Sequence, residues 1–357
     1  MKLGLIGLPM SGKTTIFNAL TGANRPTDVA VPGKIDVQIA IVDVPDSHLE
    51  PLAEIFNPRK IVPAQIAYAD IGGVTKGISS GGLSGPFRNE LSQLDGFLHV
   101  VRAFENPNVP HPDGSVDAQR DLDTLDTEFL LADMMVVERR VERLKEELSK
   151  GKDRAANTKE LEQLERLQAA LEAETPLREL GIPPAEQKAL RGYSFLTLKP
   201  KLVLVNVGEG GQSAETLVSV EGQQAKVLTI QGDIEAEIAQ LEPEEASEFM
   251  QEYGIAESVR DRIVRASYDL LHIQTFFTVG DDEVRAWPHP IGATAQEAAG
   301  VIHSDLQRGF IRAEIIPAPD LIELGGLAEA RQVGKLRQEG KEYIMQNDDV
   351  MTVKFNV

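Results

Sequence analysis

Gly7-Leu8-Pro9-Met10-Ser11-Gly12-Lys13-Thr14 is the stretch on which the fold turns. It has the form G-x-x-x-x-G-K-[ST], follows the apolar run Leu3-Gly4-Leu5-Ile6, and precedes Thr14 to Leu20, whose pattern predicts a helix. A strand, a glycine-bearing loop and a helix in that order aim backbone amides and a helix N-terminus at phosphate oxygens. Pro9, Met10, Ser11, Gly12, Lys13, Thr14 and Thr15 are therefore the candidate phosphate-binding residues. Lys13 is the candidate for stabilising charge on the β- and γ-phosphates, and the Thr14 hydroxyl is a candidate Mg2+ ligand. The bland alternative, a glycine-rich turn, explains neither the lysine nor the strand–loop–helix context.

Further strands are predicted at Val37 to Val44, Ile66 to Ala69 and Phe97 to Val101, and later at Leu202 to Val205 and Val227 to Ile230. Their alternation with helical stretches implies an α/β fold with a mostly parallel sheet. Between about residues 121 and 180 the composition shifts to Glu, Leu, Arg, Lys and Ala. Leu130, Met134, Val137, Val141, Leu144 and Leu148 make a heptad seam, and a second seam runs through Leu161, Leu164, Leu167 and Leu171 before Pro176. An antiparallel helical hairpin inserted into the α/β domain is the simplest reading; its seam either only joins two helices or also forms an arm that meets a partner. From 274 onward, strands are expected at Thr275 to Val279, Val284 to Trp287 and Met351 to Val357, a small separate α+β module. The expected domains are thus 1–120 with 193–273 for nucleotide binding, 121–192 for the hairpin, and 274–357.

Two more strand ends carry chemistry. Asp70-Ile71-Gly72-Gly73 closes the Ile66 strand, so Asp70 is placed to support a Mg2+ shell and the Gly73 amide to sense a γ-phosphate. Val74 stands where many GTP hydrolases carry a water-orienting Gln. The glycines and serines from Gly72 to Gly85 suit a nucleotide-ordered switch, or else an uncoupled surface loop. Asn206-Val207-Gly208-Glu209 ends the Leu202 strand, where related switches read the base. A guanine site of the N-K-x-D kind uses Asp for the paired N1 and N2 donors of the base. Val207 and Glu209 replace the Lys and Asp, which favours adenine or tolerates it. The alternative is that Asn206 is only a turn residue.

Composition limits the partners. The 357 residues are 42% hydrophobic and 26% charged, as in ordinary globular proteins of more than one domain. With 36 Lys and Arg against 56 Asp and Glu, a net charge of −20 argues against a general grip on nucleic acid or an anionic membrane, so any RNA contact must be local. Cysteine is absent, which excludes disulfides and thiolate chemistry and fits a reducing compartment. No signal-like or membrane-spanning run is apparent, and the cytoplasm is the expected location.

Together these motifs resemble the Obg-like ATPase (YchF) family. The resemblance extends through Val100-Val101-Arg102-Ala103-Phe104-Glu105-Asn106, Ser194 to Pro200, Glu283 to Trp287, Gly292 to Ala295, Ile302 to Asp305, Gly309 to Arg312 and Phe355-Asn356-Val357, nearly the whole chain. It implies a GTPase-like fold with a helical hairpin and a C-terminal β-grasp TGS domain. It also implies ATP as ligand, with GTP as the alternative, Mg2+ as cofactor, slow hydrolysis, and association with the ribosome or its RNA. His111, in the loop Asn106 to Ser115, aligns with a loop histidine of the family and is the candidate for positioning water, against an exposed loop residue as the alternative. His289 and His303 read as structural or partner-facing; His48, His99 and His272 have no sequence constellation. Two departures stand out: Lys34 replaces a switch threonine, with either Thr27 or Asp36 as its substitute or Lys34 itself as a cation near the phosphate, and Met10 replaces a common Asn. A nucleotide-gated binding protein with negligible hydrolysis is the second reading. A metabolite kinase, the third, lacks any sign of an acceptor site.

Overall fold

The structure, a computed structural model, describes residues 1–26, 37–72, 83–220, 222 and 226–356. Its strands are β1 (Lys2–Ile6), β2 (Val37–Asp43), β3 (Lys60–Val62), β4 (Gln65–Ile71), β5 (Gly96–Ala103), β6 (Lys201–Val207), β7 (Lys226–Ile230), β8 (Ile273–Thr278), β9 (Glu283–Pro290), β10 (Phe310–Pro317), β11 (Arg337–Glu339) and β12 (Asp349–Phe355). The helices that matter for the site are α1 (Lys13–Thr21), α2 (Leu49–Phe56), α3 (Gly85–Ser92), α4 (Ala118–Ser149) and α5 (Arg154–Glu172).

The first sheet has the order β2-β4-β1-β5-β6-β7. β1 runs parallel to both β4 and β5, and β5, β6 and β7 continue in parallel. Leu3, Leu5, Leu202, Val203, Leu204 and Val205 are wholly buried, because parallel strands covered on both faces need unbroken apolar runs. This arrangement brings the C-terminal ends of β1, β4, β5 and β6, each followed by one of the motifs, to one edge, where open α/β sheets bind ligands.

Between β5 and β6 the chain leaves the sheet through α4 and returns after α5. Val137, Val141 and Leu144 meet Leu164, Leu167 and Leu171 in one buried cluster, with Leu130, Met134 and Leu161 half-buried beside it. α4 starts within the sheet's own core: Leu125, Phe129 and Ala132 pack with Ile6, Ala69 and Phe97. A buried polar link reinforces this base. The Asp133 carboxylate accepts the backbone N–H of Leu196 at 2.9 Å, that of Thr197 at 2.7 Å and the Thr197 hydroxyl at 2.8 Å. Burial pushes the Asp133 carboxyl up, against these bonds, which favour its charged form. Lys199, in the same segment, donates to the carbonyls of Leu91 at 2.9 Å and Ser92 at 2.7 Å, closing the C-terminus of α3.

The chain divides into two compact units, Met1–Ala40 with Ala67–Arg260, and Ile41–Ile66 with Asp261–Val357. The second holds the sheet β11-β10-β12-β8-β9-β3. Within it β8 pairs antiparallel with β9 and parallel with β12, which pairs antiparallel with β10, and the helix Ala295–Ile302 connects β9 to β10. A central parallel pair made by the first and last long strands is the β-grasp arrangement. Residues 41–66 and 261–273, placed above with the nucleotide-binding domain, belong to this unit instead. β3 pairs in parallel with β9, and Leu49 and Leu52 of α2 join Phe277, Val284 and Ile316 in its core. Such long-range pairing leaves no local period to read. His48 likewise has company: its Nδ1 lies 3.5 Å from Asp46 and 3.8 Å from Asp348. No helix among the described residues is long and apolar enough to cross a membrane.

Replacing Asp133 with Ala leaves two buried amides without acceptors, at about 1–3 kcal/mol per group. Asp133→Ala is expected to lower unfolding stability by about 3 kcal/mol in urea titration. Asp133→Asn, which keeps one acceptor oxygen, is expected to lose less.

Candidate functional site

The phosphate loop wraps the end of β1 so tightly that its glycines have no substitutes. Gly7 has φ +149°, and a Cβ there would stand 2.3 Å from the Val100 carbonyl oxygen; at Gly12, φ +92°, it would stand 2.2 Å from Asn206 Nδ2. Met10 also lies in the left-handed region, φ 63°, with its side chain out in solvent. Asn adopts that conformation more readily than Met, so the departure at this position carries local backbone strain. Pro9 and Thr15 are half-buried on either side of the loop tip.

Lys13, the first residue of α1, donates from Nζ to the carbonyls of Gly7 at 3.0 Å and Leu8 at 2.9 Å. Its ammonium is thereby folded across the loop it serves. Burial lowers its pKa from 10.5 to about 8, partly opposed by the Asp70 carboxylate. Thr14 donates its hydroxyl to Asp70 Oδ2 at 2.9 Å, which joins the two predicted metal ligands across β1 and β4. Asp70 Oδ1 is buried and has no hydrogen-bond partner among the described residues. An orphaned carboxylate oxygen beside a hydroxyl is a hard-oxygen donor set, and it fits Mg2+. Arg25, which no motif singles out, places Nη1 3.2 Å from Asp70 Oδ2.

Asn206 is buried at the end of β6. Its Nδ2 donates to the Ser11 carbonyl at 3.2 Å, and its Oδ1 accepts the Gly232 N–H at 3.0 Å. The carboxamide thus fastens the phosphate loop to the loop after β7 and is more than a turn residue. The Val207 side chain is buried with Val101, Val205 and Ala214. Glu209 is exposed beyond it.

Arg102, which the sequence places in a family-like stretch without a role, is fully buried at the end of β5. It donates Nε to the Phe104 carbonyl at 3.1 Å, Nη1 to that of Met10 at 3.4 Å and Nη2 to that of Val109 at 2.6 Å, with its guanidinium 4.5 Å from the Phe104 ring centroid. It ties the loop tip to the chain leading to His111. That histidine is not an exposed loop residue. Its Nδ1 accepts the Asp113 N–H at 3.1 Å, which leaves the proton on Nε2 to be donated to Asp121 at 2.7 Å. Asp121 also takes Arg120 at 2.8 Å. In this structure His111 therefore pins its loop to α4, and both ring nitrogens are committed. Gly73, Val74, Thr27, Lys34, Asp36 and the glycine-rich stretch 73–82 lie outside the described residues.

A phosphate loop opening α1, a facing hydroxyl–carboxylate pair and a fastened base-side loop define a P-loop nucleotide-binding protein of GTPase-like fold. The comparisons with known proteins narrow the class. Residues 273–356 match the family model YchF-GTPase_C, described as "Protein of unknown function (DUF933)". The chain is 43% identical to the "Ribosome-binding ATPase YchF" of Bacillus subtilis (strain 168), over 99% of this chain and 99% of that one. It is 33% identical to "Obg-like ATPase 1" of Caenorhabditis elegans, over 100% of this chain and 92% of that one. The solved structure of the Schizosaccharomyces pombe YchF GTPase superposes with a TM-score of 0.82 at 29% identity, covering 99% of this chain and 97% of that one. The chain belongs to the Obg-like ATPase (YchF) family.

A phosphate group favours the charged Lys13, whereas burial without one favours the neutral form. ATP binding is therefore expected to take up protons near pH 8.5, and affinity to fall as pH rises through about 8. Calorimetry in two buffers of different ionisation heat measures the uptake, which Lys13→Arg should abolish. In the nucleotide-free protein the unfolded chain is the better proton binder between about 8 and 10.5, so Lys13 makes stability rise with pH across that window.

Proposed function

We propose that this protein is a nucleotide-dependent molecular switch that binds ATP with Mg2+, hydrolyses it slowly to ADP and phosphate, and acts with the ribosome in the cytoplasm. The observation that carries the reading is the Thr14–Asp70 pair, 2.9 Å apart beside Lys13, with the orphaned Asp70 Oδ1 next to it. The relatives' printed names supply ATP hydrolysis and the ribosome as partner; no nucleic acid other than ribosomal RNA and no membrane is part of the reading.

In this mechanism the amides from Pro9 to Thr15 and the N-terminus of α1 hold the phosphates. Lys13 exchanges the Gly7 and Leu8 carbonyls for β- and γ-phosphate oxygens, and in doing so stabilises charge that grows in the transition state. Thr14 and Asp70 would hold Mg2+, which supplies neutralising charge to the phosphate oxygens. The Gly73 amide senses the γ-phosphate. Asn206 sets the base-side loop, where Glu209 stands in place of a guanine-binding Asp, so ATP is preferred and GTP is the weaker ligand. His111 is the candidate for positioning water, a role that requires it to leave Asp121 and the Asp113 amide.

Those committed bonds of His111, together with Val74 at the water-orienting position, favour a second reading: a nucleotide-gated binding protein whose hydrolysis is negligible. Two measurements separate the readings. Calorimetry with ATP and GTP in Mg2+ is expected to show tighter ATP binding, lost by a factor of about 100 or more in Lys13→Ala. Equal or tighter GTP binding overturns the base assignment. Single-turnover hydrolysis lowered about 10²-fold or more in His111→Ala supports the water-positioning role; an unchanged rate removes it.

A further inference from the structure

We propose that Arg25 is a built-in cation for Asp70 that competes with Mg2+, so that metal entry and withdrawal of Arg25 are a single exchange. The inference rests on the Thr14–Asp70 metal reading and adds to it a residue that no motif contains. The Asp70 side chain is 5% exposed, and Oδ2, the oxygen that receives the Thr14 hydroxyl, is the same oxygen that the Arg25 guanidinium approaches at 3.2 Å. A carboxylate so far from water requires a positive neighbour. Lys13 lies close enough to feel Asp70 but spends its hydrogen bonds on the Gly7 and Leu8 carbonyls. Arg25 is the cation in direct contact with Asp70 among the described residues.

The backbone at Arg25 is held for this purpose. Asn18, buried in α1, donates Nδ2 to the Arg25 carbonyl at 3.0 Å and accepts the Arg25 N–H at 3.2 Å. Gln240 donates to the carbonyls of Gly22 and Ala23 just upstream, at 3.3 and 3.2 Å. Pro26 follows, and a proline restricts the residue before it to extended conformations. With the main chain fastened on both sides, the adjustable part is the long side chain, which lies with its guanidinium 6.0 Å from the Phe17 ring centroid. It is 28% exposed, so the guanidinium has solvent on one side of its contact with Asp70. A divalent cation taken up by the orphaned Asp70 Oδ1 beside Thr14 would share one small carboxylate with the guanidinium on Oδ2, and at such range the two positive charges repel. Arg25 therefore stabilises the metal-free site and weakens metal binding to it.

Mn2+ is the probe, titrated by electron paramagnetic resonance into the full-length chain with ADP present, for wild type, Arg25→Ala, Arg25→Gln, Arg25→Lys and Asp70→Asn. Arg25→Ala and Arg25→Gln are expected to bind Mn2+ about 5-fold or more tightly than wild type, with Arg25→Lys between. Thermal unfolding gives a second readout. The Arg25 variants should melt below wild type in EDTA and recover on addition of Mg2+ by more than wild type does. Unchanged or weaker Mn2+ binding in the Arg25 variants, with binding lost in Asp70→Asn, overturns the exchange and leaves the metal reading intact. Mn2+ binding unaffected by Asp70→Asn overturns both. A merely structural Arg25 would lower stability equally in EDTA and in Mg2+.

Discussion

One buried carboxamide holds the site together. Asn206 donates to the phosphate loop and accepts from the loop after β7, so that three chain crossings at the sheet edge share one side chain. Both partners are glycine-dependent: a Cβ at Gly12 would collide with Nδ2, and one at Gly232 would stand 2.9 Å from Oδ1. Because the loop is fixed from the β6 side, α1 begins at a defined point. Lys13 and Thr14 then open the helix within reach of their own supports, the Gly7 and Leu8 carbonyls and the Asp70 carboxylate. The residue type follows from the bonding: only an amide offers a donor and an acceptor in one plane at this length.

Around that fastening, the site manages charge by local means. A protein with a net charge of −20 repels a polyphosphate at long range, yet three cations converge near the loop. Each is differently satisfied. Lys13 rests on two carbonyls, Arg102 on three, and Arg25 on a carboxylate. Carbonyl partners satisfy N–H groups without cancelling charge, so Lys13 and Arg102 keep their positive field directed at the loop, while Arg25 is neutralised until its partner is taken.

What could be read in the sequence follows from range. The phosphate loop, Asp70 and Asn206 were legible because each stands at the end of a buried strand, and strand ends at one sheet edge converge by topology. The hairpin was legible from its seam. The roles of Arg25 and Arg102 were not, because a single arginine in a polar or strand-end context has no period, and the contacts that join each to the site, Asp70 for Arg25 and the Met10 carbonyl for Arg102, are 45 and 92 residues away. Val207 closes the run of buried residues in β6, so its burial follows from the strand and not from the base-reading pattern it sits in. His111 was singled out by alignment, but its pairing with Asp121 depends on how the loop folds back on α4 and on the N-cap that Asp117 gives that helix. The contribution of 41–66 to the second unit is illegible for the same reason of distance.

α4 is one uninterrupted helix of 32 residues, with its first half in the core of the sheet and its second half in the hairpin seam. At 1.5 Å per residue it is about 48 Å long, and roughly half of that lies beyond Asp133. A helix fixed at one end is a lever, and the fulcrum here is the Asp133–Thr197 contact, one turn of chain away from Lys199 and the end of α3. A tilt of about 5° at that fulcrum carries the far tip of the hairpin about 2 Å. A rotation too small to break the hydrogen bonds at Asp133 thus becomes, at the tip, a displacement comparable to the radius of an atom, and its size is set by the length of helix beyond the fulcrum.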